Sequence, residues 1–338
     1  MCSNAVFRCF RCLERTTDRV TGAAGPLFVT LAICLLCLGV FCFFEAIQPS
    51  IRWPLLTVPI DALIAFNLLG QYYLACTVKP GFIDDPPRTE GESFFWAKRR
   101  KSGAPRTNGS AGVHWSEDMQ LNMTRAHVSR CKRCGQIRPE RAHHCRICNH
   151  CVLKYDHHCP VQLGINQCVG LYNERHFVLF MAYLVLSTFC FAFLGYEKMW
   201  EAMGFTYTWT NWTPEIMFSL IYILSLVLCF AVGVMLSWHV WSICKGETSV
   251  ESHDHDVYRK TAKERGQVIL TTFICRKLKN LELFFNLGSD GYPYRSLLFP
   301  LRVMPYTDGR TWARRPGYVT HKGIQPGDEL TDEDDIFD

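Results

Sequence analysis

Residues 131–168 read CKRCGQIRPERAHHCRICNHCVLKYDHHCPVQLGINQC, and they hold seven of the chain's 18 cysteines. Two CxxC pairs, Cys131–Cys134 and Cys145–Cys148, are joined by Cys151, Cys159 and Cys168, with His143, His144, His157 and His158 interleaved. Zinc takes thiolate and imidazole donors four at a time, tetrahedrally, and a CxxC turn brings two sulfurs onto one ion. Eight donors for two ions can be drawn from this set with residues left over. Asp156-His157-His158-Cys159 then sets a carboxylate, two imidazoles and a thiol in succession. One imidazole can ligate metal while its neighbour takes the thiol proton and the carboxylate fixes its tautomer. Such a thiol suits attack on a thioester or a similar acyl donor. Two purely structural zinc knuckles would explain the CxxC spacing but would have no use for the leftover nucleophile.

Long apolar runs flank the cluster. Four can cross a bilayer, for which about 20 apolar residues suffice: residues 27–47, 58–78, 177–196 and 216–243. No small-residue cleavage pattern follows the first, which reads as a retained span. Asp61, Asn67 and Gln71 make the second the most polar. Asp61 lies near the membrane surface or faces the bundle interior, as intramembrane ionisable groups usually do. The loop between spans two and three is basic, the short connection from Trp200 to Glu215 carries Glu201 and Glu215 without Lys or Arg, and the N-terminus carries Arg8, Arg11, Arg15 and Arg19. The positive-inside rule therefore places both termini and the cysteine-rich loop in the cytosol. A reducing compartment favours metal ligation over a disulfide framework, and Cys34, Cys37, Cys42, Cys190 and Cys229 read as small hydrophobes within apolar runs.

The net charge of +5 is too small to imply nucleic acid as a partner. The basic run Lys98–Lys101 and the SGAPRTNGSAG that follows it read as a solvated connector near anionic lipid. The terminal DELTDEDDIFD is acidic and reads as a solvating tail.

The elements CKRC, RPERAHHCRICNHCVLKYDHHCP and CVGLYN together resemble the cysteine-rich domain of the DHHC-type protein S-acyltransferases, the palmitoyltransferases. The resemblance implies an all-α polytopic membrane protein, with four transmembrane helices and a cytosolic double-zinc domain between helices 2 and 3. It implies one structural Zn2+ on Cys131, Cys134, His144 and Cys151, and a second on Cys145, Cys148, His158 and Cys168. Cys159 would be the nucleophile that takes a palmitoyl chain from acyl-CoA, with His157 as base and Asp156 orienting it. The chain would then pass to a cytosolic cysteine of a membrane-associated protein, in ping-pong order. Among the spans, Tyr183, Phe191, Trp238 and Trp241 are candidates to line a sheltering cavity. Thr248-Ser249-Val250-Glu251 resembles the family's Thr-Thr-x-Glu motif, its Glu tying the bundle end to the catalytic domain. Asn280 resembles the C-terminal asparagine expected to pack against the span-three region. Phe284, Phe285 and Leu287 read as an amphipathic membrane-surface element, with Arg276, Lys277 and Lys279 facing lipid headgroups.

The expected organisation is an N-terminus (1–26), helices 1 and 2 (27–78), a connector (79–129), the zinc domain (130–176), helices 3 and 4 (177–244), a membrane-associated region (245–300) and the acidic tail (301–338). The membrane expected is that of the endoplasmic reticulum or Golgi. Cys2, Cys9 and Cys12 are candidate acylation sites. Two departures from the family pattern stand out: Val161 replaces a Trp, and three extra residues lengthen the interval from Cys159 to Cys168. The competing reading is an inactive membrane-anchored zinc module that serves as scaffold or adaptor. A transporter reading lacks the paired inverted halves it would need.

Overall fold

The computed structural model describes residues 24–91, 93–99, 122–126, 128–159, 165–266, 277–288 and 291–314. Outside them lie residues 160–164 with Val161, the N-terminal Cys2, Cys9 and Cys12, Arg100 and Lys101, Arg276 and the acidic tail. The described residues are mostly helical. Four helices are long and apolar enough to cross a membrane: α1 (Ala24–Ser50), α2 (Pro54–Thr77), α3 (Glu174–Leu194) and α5 (Glu215–Lys245). A short α4 (Tyr196–Ala202) follows α3, and α6 (Ser249–Glu264) and α7 (Lys277–Phe285) follow α5. The sequence pattern suggested an all-α protein, but the cysteine-rich region is strand-built. β1 (Asn122–Arg125), β2 (Val128–Arg130), β3 (Ile137–Pro139), β4 (His143–Cys145), β5 (His150–Val152), β6 (His157–Cys159) and β7 (Gln167–Val169) precede α3, and β8 (Thr311–Arg314) comes last. They pair as two-stranded ribbons β1-β8, β2-β3, β4-β5 and β6-β7. The reason is geometric. Neighbouring residues that serve different metals must point opposite ways, and only a strand alternates its side chains with period two.

The chain divides into two compact units. The first comprises residues 1–77, 158–167 and 176–235. In it α1 closes on a π turn, Phe43–Ile47, and a 3-10 turn, Gln48–Ser50. There Phe43 and Ile47 pack with Phe191, Phe218 and Tyr222. Glu45 ties this end of α1 to the turn before α5, its carboxylate accepting from the Trp212 amide at 2.6 Å and the Thr213 hydroxyl at 2.7 Å. A cavity of about 280 Å³ lies among α1, α2, α3 and α5, lined by residues that include Leu36, Asp61, Leu68, Phe180, Phe191 and Leu228. Asp61 thus faces the interior. Of the four aromatic residues expected to line a cavity, Phe191 does so. Trp238 and Trp241 are about half exposed, because they follow the turns of α5 that face the cavity.

The second unit comprises residues 78–157, 168–175 and 236–338. Its core gathers Ile83, Leu153, Leu171, Leu283 and Trp312 around Cys131 and Cys151. Chain segment 80–83 runs beside β5, with Leu153 N–H bonded to the Gly81 carbonyl and Ile83 N–H to that of Cys151. Gly170 allows the turn after β7 to pass under this edge. A Cβ there would sit 2.7 Å from Val152 and 2.9 Å from the Leu153 carbonyl. Asn173, fully buried, holds the same turn by accepting from Gly170 N–H and donating to the Cys168 carbonyl, both at 2.9 Å. Leu287, expected at the membrane surface, is buried in this unit at 5% exposure, since the chain turns inward at Asn286 (φ +49°).

Candidate active site and metal centres

Strand alternation sorts the donors. In β4, His144 points one way and His143 and Cys145 the other. His144 pairs across the ribbon with Cys151, and the two join the first CxxC pair. The Cys134 and Cys151 sulfurs lie 3.5 Å apart, and His144 Nδ1 lies 3.7 Å from Cys151 Sγ. Cys131, Cys134, His144 and Cys151 form one group whose donor atoms all lie within 4.8 Å of one another, and Cys145, Cys148, His158 and Cys168 form another. In that second group the Cys148 and Cys168 sulfurs are 3.3 Å apart. Two thiolates on a tetrahedral zinc, each about 2.3 Å from the ion, stand about 3.8 Å apart. The described cysteines are unbridged, and each group offers three sulfurs and one imidazole, a donor set that suits zinc. Both groups can bind a metal ion.

The same alternation acts in β6, where His157 and Cys159 share one face and His158 takes the other. Cys159 closes the strand, 3% exposed. Gln167, which opens β7, donates through its side-chain amide to the Ala75 carbonyl near the end of α2. That bond sets the end of α2 beside the ribbon that carries the thiol.

Asp156 is buried and accepts from three groups. His157 Nδ1 lies 2.7 Å from Oδ2, the Ser249 amide donates to Oδ1 at 2.7 Å, and the Ser249 hydroxyl to Oδ2 at 3.2 Å. Burial by itself would raise the Asp156 pKa, but the His157 hydrogen bond and charge, then His239 and the Ser249 amide, hold it well below the usual carboxylate range. An ionised Asp156 keeps the proton on His157 Nδ1 and leaves Nε2 as the basic nitrogen.

Thr248 caps α6 in a reciprocal box. Its hydroxyl accepts from Glu251 N–H at 3.3 Å, and Glu251 Oε2 accepts from Thr248 N–H at 2.9 Å. Both Glu251 oxygens also receive Arg141, from Nε at 2.6 Å and Nη2 at 2.7 Å. Arg141 stacks 4.6 Å over Trp312 and gives Nη2 to the Gly246 carbonyl as well. Burial pushes the Glu251 carboxyl up, but the Arg141 charge and hydrogen bonds outweigh it and hold it down at about 2. This buried ion pair positions the α6 N-terminus, and with it the Ser249 grip on Asp156. Asn280 donates to the Cys244 carbonyl at 2.8 Å. The bond seen runs to the end of α5, the fourth span, and satisfies one of its last carbonyls.

Sequence reasoning did not single out Arg141, Asn173, His239 or Trp312. His239 Nδ1 lies 3.9 Å from Asp156 Oδ2, so two imidazoles flank one carboxylate. Arg141 carried a signal, as a cation inside the ligand cluster with an acidic motif expected nearby. Nothing local marks His239, which sits in an apolar helix.

The structure thus sets metal-capable ribbons between helices long and apolar enough to cross a membrane, with a carboxylate, an imidazole and a thiol on one short stretch. Residues 126–256 match the family model described as DHHC palmitoyltransferase. The chain is 28% identical to palmitoyltransferase ZDHHC16A of Danio rerio, over 55% of its own length and 59% of that protein's. It is 32% identical to palmitoyltransferase ZDHHC16 of Mus musculus, over 58% and 56% of the two lengths. With palmitoyltransferase ZDHHC7 of Rattus norvegicus the identity is 37%, over 42% and 46%. The aligned region spans about half the length of these relatives. Over residues 126–256 the chain is thus similar to the DHHC palmitoyltransferases.

Proposed function

We propose that the chain moves a palmitoyl group from acyl-CoA to cysteine thiols of membrane-associated proteins through a thioester on Cys159. The observation that carries this is the 2.7 Å bond between His157 Nδ1 and Asp156, with Cys159 two residues along the same strand face. His157 Nε2 takes the Cys159 proton. The thiolate attacks the acyl carbonyl, the bond to coenzyme A sulfur breaks, and the departing thiolate recovers the proton. A substrate thiol, deprotonated in turn, then attacks the acyl-enzyme and releases Cys159. Zinc at the two Cys/His groups would fix the ribbons in place, with no part in the chemistry.

The cavity supports the same reading. At 1.5 Å per residue, Leu68 and Asp61 lie about 10 and 21 Å along α2 from Ala75, the residue bonded to Gln167. Sixteen carbons extend about 20 Å, at roughly 1.25 Å per tetrahedral C–C step. A palmitoyl chain held at Cys159 would therefore end in the cavity near Asp61, where burial of each CH2 is worth about 0.8 kcal/mol. Cytosolic termini and residence in the endoplasmic reticulum or Golgi belong to this proposal, resting on loop charge and family.

Acyl-enzyme formation tests it. Detergent-purified chain is mixed with clickable palmitoyl-CoA, and hydroxylamine-sensitive label is compared with Cys159→Ser. Label confined to the wild type supports the proposal. An unlabelled wild type that retains zinc would favour the inactive scaffold and point to the 160–164 segment.

A further inference from the structure

His239, near the end of α5, is buried, and the transfer proposed above gives it no step. Its Nδ1 lies 3.9 Å from Asp156 Oδ2, and His157 Nδ1 lies 2.7 Å from the same oxygen. The three donor atoms fall within 4.8 Å of one another, and the two imidazole rings stand 5.8 Å apart, centre to centre, tilted by 47°. Two nitrogens and a carboxylate oxygen are a ligand set that zinc and its neighbouring divalent ions take, with water in the fourth position. Zinc holds each ligand at about 2.0–2.2 Å, which sets neighbours on a tetrahedral ion about 3.3 Å apart. The observed 2.7 and 3.9 Å bracket that spacing, so side-chain shifts of about half an ångström close the site.

The surroundings support the carboxylate as a ligand. The Ser249 amide holds Oδ1 at 2.7 Å and the Ser249 hydroxyl reaches Oδ2 at 3.2 Å, the kind of outer hydrogen bonding that orients a ligating carboxylate. Access is open on one side. The His157 side chain is 31% exposed, against 9% for Asp156 and 11% for His239, so the His157 edge leaves an ion a way in.

We propose that Asp156, His157 and His239 form a third metal site, which takes Zn2+ or a similar divalent ion and inhibits the chain. The site stands on the donor geometry, and the inhibition rests on the acyl-transfer reading. A neutral imidazole carries one proton. Metal on the His157 Nδ1 lone pair moves that proton to Nε2 by way of solvent, with no net proton lost. Nε2 then donates where it has to accept, and the Cys159 proton has no base to go to. With no thiolate among its ligands, the site binds zinc more weakly than the two Cys/His groups and fills when metal is in excess.

Full-length protein in detergent, with zinc at the two Cys/His groups, is dialysed against rising Co2+ or Zn2+. Bound metal is counted by mass spectrometry, and Co2+ is followed by absorption as well. An ion on nitrogen and oxygen lacks the thiolate charge-transfer band that exchange into a Cys/His group would show. Wild type should bind one more ion than His239→Gln, without that band. His239→Asp, which restores an oxygen donor, should recover part of the binding. Ser249→Ala keeps all three donors but loosens Asp156, and should weaken binding about tenfold, which keeps the site testable if His239→Gln fails to fold. In acyl-enzyme labelling, the Zn2+ concentration that halves each variant's own signal should rise by about tenfold or more in His239→Gln. Equal numbers of bound ions in wild type and His239→Gln would overturn the site, as would added Co2+ that appears only with the thiolate band. Zn2+ that halves labelling equally in both would overturn the inhibition. A wild type that binds the extra ion but takes no label would overturn the acyl-transfer reading, and the inhibition with it, and keep the site.

Discussion

Glu251→Ala tests how the α6 N-terminus is held. The Arg141 and Glu251 side chains are 4% and 11% exposed, so the substitution strips a buried guanidinium of the carboxylate that holds it bidentately. Removing one partner of a buried pair costs about 3–5 kcal/mol. The lost half of the capping box overlaps with this and adds at most about 1 kcal/mol. A total of about 4 kcal/mol, at roughly 2–4 °C per kcal/mol for a large domain, lowers the melting midpoint by about 10 °C. The comparison that isolates the pair is Arg141→Met with Glu251→Leu. Replacing both charges removes the stranded ion, so the double variant should melt above either single one. Tryptophan emission of detergent-purified protein follows the transition, with Trp312 as a reporter against Arg141. A Glu251→Ala midpoint within about 3 °C of wild type, or a double variant no better than Glu251→Ala, would refute the argument that the charge pair holds this junction.

Three further outcomes are expected. The Glu251 carboxyl is held at about 2 against an ordinary 4.5, so its stabilisation is full above about pH 4.5 and lost as pH falls toward 2; the midpoint gap between wild type and Glu251→Gln should close over that window. Asp156→Asn retains an acceptor for Ser249 but removes the charge that orients His157, and acyl-enzyme formation should slow by about 10³–10⁴-fold, read as single-turnover labelling with palmitoyl-CoA. Gly170→Ala drives a methyl into the Leu153 carbonyl and Val152, and should cost about 1–3 kcal/mol by thermal melting, with zinc loss as the accompanying readout.

Much of this was legible in the sequence because ligand spacing is local. The CxxC pairs and the four spans follow from chain order and periodicity, whereas the division of donors between the two metal groups came from the family resemblance. Thr248–Glu251 was singled out by its resemblance to the family motif just past the fourth span, and its role as a helix cap emerged from the structure. The strands were not legible, since three-residue ribbons are too short to show a period, and His143–Cys145 reads as ligands before it reads as β-structure. Contacts across long sequence separation were also hidden. Arg141 meets Glu251 110 residues away, and Arg175 meets Ser296 121 residues away. In neither case does local pattern name the partner. Leu287 failed for the opposite reason: an apolar run beside cations looks the same whether it faces lipid or a protein core.

His144 and Cys145 are neighbours in one strand, yet they serve different metal groups. A single peptide unit therefore transmits the pleat set by one ion to the ligand of the other, and each ion prepays part of the ordering that its companion needs. Metal loading should accordingly be cooperative. In a chelator titration followed by native mass, doubly loaded and metal-free chains should dominate, with the singly loaded form scarce.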